Sequence, residues 1–338
     1  MVPLTGRVLY ASFATPRHSG GVHVHTQHVQ LLRAAGRDAW LWLPGSDRPG
    51  WIDPAVPVLQ GARTPVDAED LLVLPEVPVV PGRDPAPGAR KVIFNQNHFY
   101  TGAAWPDPRA PYPGWDPAPA VWAVSTESHD VLAALHPELV VRLVPNPVDG
   151  ELFTPRGNRP APRVSWFPRK RPREAGLLRE LLRRDVRLAG VELRELVDTP
   201  RAEVAQVLGA TTVFVALGHS ESFGLPVAEA LASGCLVVGY DGGGGVELFG
   251  APGAWAVPEQ RPLLLREAVV DLVRRAPDLD EVRADNRAWV LERYPAARTS
   301  AALLDAVERA VAGPGAAATA THPAAWLDVL APGWTAWA

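Results

Sequence analysis

Short apolar, β-branched runs, each bounded by Gly, Pro or Asp and interleaved with helical patterns, constrain this chain most. In the first half they are RVLYASF (7–13), AWLWLPG (39–45), DLLVLPEV (70–77), KVIFNQN (91–97), VWAVST (121–126) and VVRLVPN (140–146). HVHTQHVQLLRAAG and STESHDVLAALHP have helical spacing, the second with Ser125 or Thr126 as its N-cap. The second half repeats the scheme with strands RVSWF (163–167), TVFVALG (212–218) and LVVGYDG (236–242) and helices GLLRELLRRD, PRAEVAQVLG and LPVAEALASG. Strands alternating with helices predict an α/β fold in which parallel sheets are covered on both faces.

A chain of 338 residues, 47% hydrophobic, can fill two cores of ordinary size. The segment PNPVDGELFTPRGNRPAP (145–162), rich in Pro, Gly and Asn, is the natural joint. The expected domains are 1–147, 148–312 with its terminal helices, and an Ala/Pro/Trp-containing tail, 313–338. Within 281–311 a helix is expected to Arg293, a break at Tyr294-Pro295, and a second helix.

A formal charge of −4 gives no electrostatic reason to expect nucleic acid as a partner. The single cysteine, Cys235, lies in the apolar run ALASGCLVVGY and reads as a small buried hydrophobe. The start, MVPLTGRVLYASF, lacks the pattern of a signal peptide, and no apolar run approaches the ~18 residues of a membrane span. A cytoplasmic location is therefore expected. Only Lys91 and Lys170 are lysines among 33 basic residues.

Three places carry candidate chemistry. Gly20 and Gly21 stand directly before a helix, where a close backbone and free amides suit an anion, although they read equally as a tight turn. The nearby His18, His23, His25 and His28 lack acidic or cysteine companions, so no metal is expected. The run PRKRPR (168–173) follows the strand RVSWF, at the strand end where open α/β sheets bind ligands; Arg169 and Lys170 there can neutralise a phosphate.

The third place is GHSESFGLPVAEALASGC (218–235). Glu221 lies in the loop after a strand, Phe223-Gly224-Leu225-Pro226 turns into a helix, and Glu229 sits inside it among small apolar residues. The helix start can hold a diphosphate on its amides, and two carboxylates can accept hydrogen bonds from sugar and ribose hydroxyls.

The spacing Glu221-Ser-Phe-Gly-Leu-Pro-Val-Ala-Glu229, followed by a Gly-Gly…Glu247 loop, resembles the E-x7-E region of retaining GT-B glycosyltransferases, glycosyltransferase family 4. VSTESHDVL, VPNPVDGELFTP, WFPRKR and ERYPAARTSAALLDAVE extend the resemblance over most of the chain, and KVIFNQNHFYTG and PRKR resemble a bacterial branch of unassigned specificity. The resemblance implies a GT-B fold of two Rossmann-like domains with parallel sheets facing across a cleft. It also implies a nucleotide diphosphate-sugar donor held by the C-terminal domain, a glycan or lipid-linked acceptor held by the N-terminal one, and retention without metal or cofactor.

By matching motif, Glu229 would bind ribose and Glu221 the donor sugar, with amides around Phe223, Gly224 and Leu225 on sugar or phosphate. Arg169 and Lys170 would stabilise the leaving diphosphate, with Gly21 closing on it. The basic residues are contiguous rather than spaced as Arg-x4-Lys, so any of Arg169, Lys170 and Arg171 can face phosphate. His98 is the nearest match to the family's N-domain histidine; Gln96 and Asn97 beside it can be substrate-binding or structural.

Three other readings compete. A glycogen-phosphorylase-like enzyme needs a Schiff-base lysine, and neither Lys91 nor Lys170 lies in the expected late region. A nucleotide-sugar epimerase would share the diphosphate cleft, and a non-catalytic scaffold would bind nucleotide without turnover. Peripheral membrane docking through Trp326, Trp334 and Trp337 would serve a lipid-linked acceptor.

Overall fold

The computed structural model describes residues 6–13, 18–44, 47–61, 63–101, 111–157, 161–313 and 319–320. They form two compact units, 1–145 with 299–338 and 146–298.

The first unit contains β1 (Val8–Ala11), α1 (Gly20–Ala34), β2 (Ala39–Leu43), β3 (Val58–Gln60), β4 (Pro65–Val66), β5 (Leu71–Pro75), β6 (Arg90–Asn95), β7 (Ala120–Ala123), α2 (Thr126–Leu135) and β8 (Val141–Leu143). Seven of these strands pair in the order β3-β2-β1-β5-β6-β7-β8, every pair parallel. Connections leave β1 and β5 toward opposite edges, so the gap between their carboxyl ends is a topological switch point. Residues Val8 to Ala11 and Leu71 to Leu74 are buried, as a sheet covered on both faces requires. Ser125 is the N-cap of α2, its Oγ accepting from Ser128 N–H at 3.1 Å.

The second unit contains β9 (Arg163–Trp166), α3 (Pro172–Arg183), β10 (Glu192–Glu195), α4 (Arg201–Ala210), β11 (Val213–Leu217), α5 (Leu225–Ala232), β12 (Leu236–Tyr240), β13 (Ala254–Ala256), α6 (Pro262–Arg275) and α7 (Asp280–Arg293). Its parallel sheet runs β10-β9-β11-β12-β13, with the switch point between β9 and β11. Trp166, Val215 and Val238 centre a core closed by Leu178 and Leu182 of α3 and Leu265 and Val269 of α6.

Two elements follow, α8 (Ala296–Ala312) and β14 (Thr319–Ala320). The sequence suggests that both terminal helices belong to the second domain; the structure divides them. Asn286 of α7 donates to Cys235 O at 2.8 Å and accepts from Gly253 N–H at 2.7 Å, so α7 packs in the second unit. In α8, Glu308 pairs with Arg37 at 2.8 Å and Thr299 Oγ1 donates to Pro145 O at 2.9 Å, which ties residues from Thr299 onward to the first unit. The chain passes between units at 145–146. Within the tail, β14 pairs antiparallel with β4. Trp326, Trp334 and Trp337 lie outside the described residues. Among the described residues no helix is long and apolar enough to cross a membrane.

Candidate functional site

In the second unit, both strands flanking the switch point deliver a charged side chain. Lys170 lies in the turn between β9 and α3, and Glu221 in the loop between β11 and α5. Lys170 Nζ is 2.9 Å from Glu221 Oε1 and donates to His219 O at 3.2 Å. Glu221 is 20% exposed, so the pair remains open to solvent.

A glycine loop holds Glu221 from behind. Glu221 N–H donates to Gly242 O at 2.9 Å, and Gly244 N–H donates to Glu221 O at 2.7 Å. A Cβ on Gly244 would fall 2.4 Å from Glu221 O, so only glycine permits this approach. Gly224 caps α5 with φ of 89°, the left-handed conformation open to glycine, and Pro226 stands in the first turn. Leu225 is the first residue of α5; Pro226 has no N–H, and Val227 N–H donates back to Gly224 O at 2.9 Å. Phe223 is buried edge-on to Tyr294 at 4.9 Å, and Tyr294 OH donates to Glu247 Oε1 at 3.0 Å, bracing the glycine loop.

The three adjacent basic residues have different fates. Arg171, 9% exposed, donates to Gly218 O at 2.9 Å, pairs with Glu259 at 2.6 Å and Glu174 at 3.3 Å, and lies 5.0 Å over the Tyr240 ring. It is a structural strut. Arg169 is exposed beside it, and Lys170 alone of the three pairs with a glutamate of the E-x7-E motif.

Glu229, fifth of the eight residues of α5, is 12% exposed, and its Oε1 accepts from Arg201 Nη1. Burial raises its carboxyl above the ordinary range; Arg201 opposes this and Asp149 reinforces it. Arg201 was not legible as a site residue, because 28 positions separate it from Glu229.

In the first unit, Gly20 and Gly21 open α1, whose N-cap Ser19 makes no side-chain cap. Gln96 Nε2 donates to Gly21 O at 3.1 Å and lies 2.8 Å from His25 Nε2. His25 Nδ1 is 3.0 Å from Ser12 Oγ, and burial depresses His25 to about 3, so the ring is neutral with Nε2 accepting and Nδ1–H donating. His28 Nδ1 meets Tyr10 OH at 3.1 Å. These histidines have internal polar partners, and among the described residues no three His, Cys, Asp or Glu side chains converge as a metal site would require.

Asn97 caps a single 3₁₀ turn, His98–Tyr100, its Oδ1 accepting from Phe99 N–H at 3.1 Å. His98 Nδ1 is 2.8 Å from Ser128 Oγ, and burial lowers its pKa, Glu127 opposing. Asn97 thus shapes the turn that presents His98. Sequence reasoning missed Glu76, one residue past β5 at the switch point. It is 4% exposed, accepts from Gln96 N–H at 3.2 Å, and burial raises it to about 7. Its signal was a carboxylate at a strand end.

The order of each sheet, with the candidate site at the carboxyl ends of its strands, is that of the GT-B fold. More particularly, residues 170–275, which hold Lys170, Glu221 and Glu229, match the family model described as Glycosyl transferases group 1. The chain is 25% identical over 254 residues, 69% of its length and 72% of the relative's, to an alpha-1,6-glucosyltransferase of Actinobacillus pleuropneumoniae serotype 7. Its fold matches a glycosyltransferase of Rickettsia africae with a TM-score of 0.64 and 12% identity, over 91% of this chain and 99% of that one. Anabaena HepE in complex with UDP-glucose matches with a TM-score of 0.59 and 14% identity, over 90% and 99%.

Proposed function

We propose that the chain transfers a sugar from a nucleotide diphosphate-sugar to a glycan or lipid-linked acceptor, with retention and without metal or resident cofactor. The observation that carries this reading is the Lys170–Glu221 pair beside the start of α5. In the reaction the bond from the anomeric carbon to the distal phosphate oxygen breaks. The acceptor oxygen bonds to that carbon on the same face, and the acceptor proton goes to the departing phosphate. Charge grows on the phosphate oxygen, where the ammonium of Lys170 and the backbone amides around Gly224 and Leu225 supply preorganised stabilisation, with Arg169 as a further exposed cation. Glu221 takes the sugar hydroxyls, Glu229 the ribose, and the amides around Phe223, Gly224 and Leu225 the sugar or phosphate. The acceptor is assigned to the first unit, near Asn97 and His98.

The glucosyltransferase relative and the UDP-glucose complex of HepE make UDP-glucose the first donor to test. Calorimetry of UDP, GDP and ADP, with and without EDTA, on wild type and Glu229→Ala tests the reading. One nucleotide is expected to bind, to survive EDTA and to be lost in the variant. Binding of none of the three overturns it, and a β-linked product in the NMR spectrum from an α-linked donor overturns retention.

A further inference from the structure

Glu229 is held by a residue that no motif announces. Arg201 opens α4, and its guanidinium is clamped 4.7 Å over the Phe153 ring while Nη1 donates to Glu229 Oε1. No other side chain among the described residues bonds the Glu229 carboxylate, so Oε2 is left to a ligand. Asp149 repels the carboxylate from the segment before β9. Arg283 and Arg287 of α7 are turned to carbonyls, the first to Gly234 O and the second to Gly150, Phe153 and Ala232 O. Strands β11 and β12, VFVAL and LVVGY, contribute no charge. Among the described residues Arg201 is the one cation that pairs with Glu229.

We propose that Arg201 is a positioning residue for the nucleotide site: it keeps Glu229 ionised and aims its second oxygen at the vicinal hydroxyls of the ribose. The inference rests on the ribose role proposed for Glu229 above. A carboxylate this deeply placed favours its neutral form, and a neutral acid accepts less well from a diol than an anion does. Clamping by Phe153 fixes the guanidinium beforehand, so little ordering remains when the nucleotide arrives. A plain tie between α4 and α5 would use the same ion pair, but it would not make nucleotide affinity depend on pH through Glu229.

The test is calorimetric affinity for UDP, or for whichever of GDP and ADP the wild type prefers, from pH 6 to 8.5. Arg201→Gln is expected to bind about tenfold more weakly than wild type at pH 6 and to recover to within about threefold at pH 8.5, because loss of the guanidinium favours the neutral acid. Arg201→Lys is expected to restore most of the loss at pH 6, and thermal unfolding monitors the fold of each variant. A deficit in Arg201→Gln that is the same at every pH, or that lysine does not relieve, overturns the inference and leaves a structural tie. If Glu229→Ala binds as wild type does, the ribose reading itself has failed. If Glu229→Ala loses binding while Arg201→Gln matches wild type throughout, only the role of Arg201 has.

Discussion

The ammonium of Lys170 stands 2.9 Å from Glu221 Oε1 and reaches His219 O at 3.2 Å, joining the ends of β9 and β11 at the switch point of the second sheet. Two residues from opposite sides of a topological break thereby become one site, although 49 and 51 positions of sequence separate Lys170 from His219 and Glu221.

Lys170→Ala should lower donor turnover roughly 10²- to 10³-fold, the usual cost of removing one preorganised group from developing charge. Arg171→Ala should instead lower stability by about 2 kcal/mol, since it leaves Glu174 with only the Tyr240 hydroxyl, at 2.6 Å, and frees Gly218 O, while the half-exposed Glu259 loses little. Steady-state release of nucleotide and thermal melts of both variants separate the roles. An Arg171→Ala protein with wild-type melting and abolished turnover would reverse the assignment.

Gly244→Ala should displace Glu221, because the added Cβ would sit 2.4 Å from Glu221 O and 2.5 Å from Ser222 Cα, both backbone atoms. We expect at least roughly tenfold lower turnover and a stability loss of about 1–3 kcal/mol. Gly250→Ala is the control, since its Cβ would meet only Trp289 Cζ2 at an ordinary 3.5 Å. Equal activity in the two variants would show that the glycine loop does not set the position of Glu221.

Glu76 makes stability depend on pH in a defined direction. Burial raises its carboxyl from 4.5 to about 7, so the folded state holds a proton that the unfolded chain releases. Its favourable contribution is complete below pH ~4.5 and is lost as pH rises through about 7, a swing on the order of 3 kcal/mol. Glu76→Gln should therefore be more stable than wild type at pH 8, with the difference closing toward pH 5. Denaturant unfolding of both proteins at the two pH values checks it, and a constant difference would place the effect elsewhere.

Much of the fold was legible because its signals are local. The runs that became β1, β2, β5, β6, β7, β8, β9, β11 and β12 are apolar and bounded by turn residues, and the break at Tyr294-Pro295 follows from proline's lost donor. The strands β10 and β13 were not legible. ELRE is a charged edge strand and AWA is three residues long, so neither shows the buried pattern of a central strand. Sequence places α8 with the second domain, whereas its ion pair from Glu308 to Arg37, which ties it to the first unit, spans 271 positions and leaves no local trace.

At the candidate site the same division holds. Glu221, the Phe-Gly-Leu-Pro turn and Glu229 could be read directly, because a strand end, a left-handed glycine and a helix start lie within nine residues and each has its own backbone chemistry. Folding decided which of three adjacent basic residues meets Glu221, that Arg201 holds Glu229, and that Glu76 braces the turn bearing Asn97 and His98. Backbone periodicity and turn preference act over a few residues, whereas these pairings arise only when sheet order brings distant strand ends together, and burial then sets the charge each group can carry.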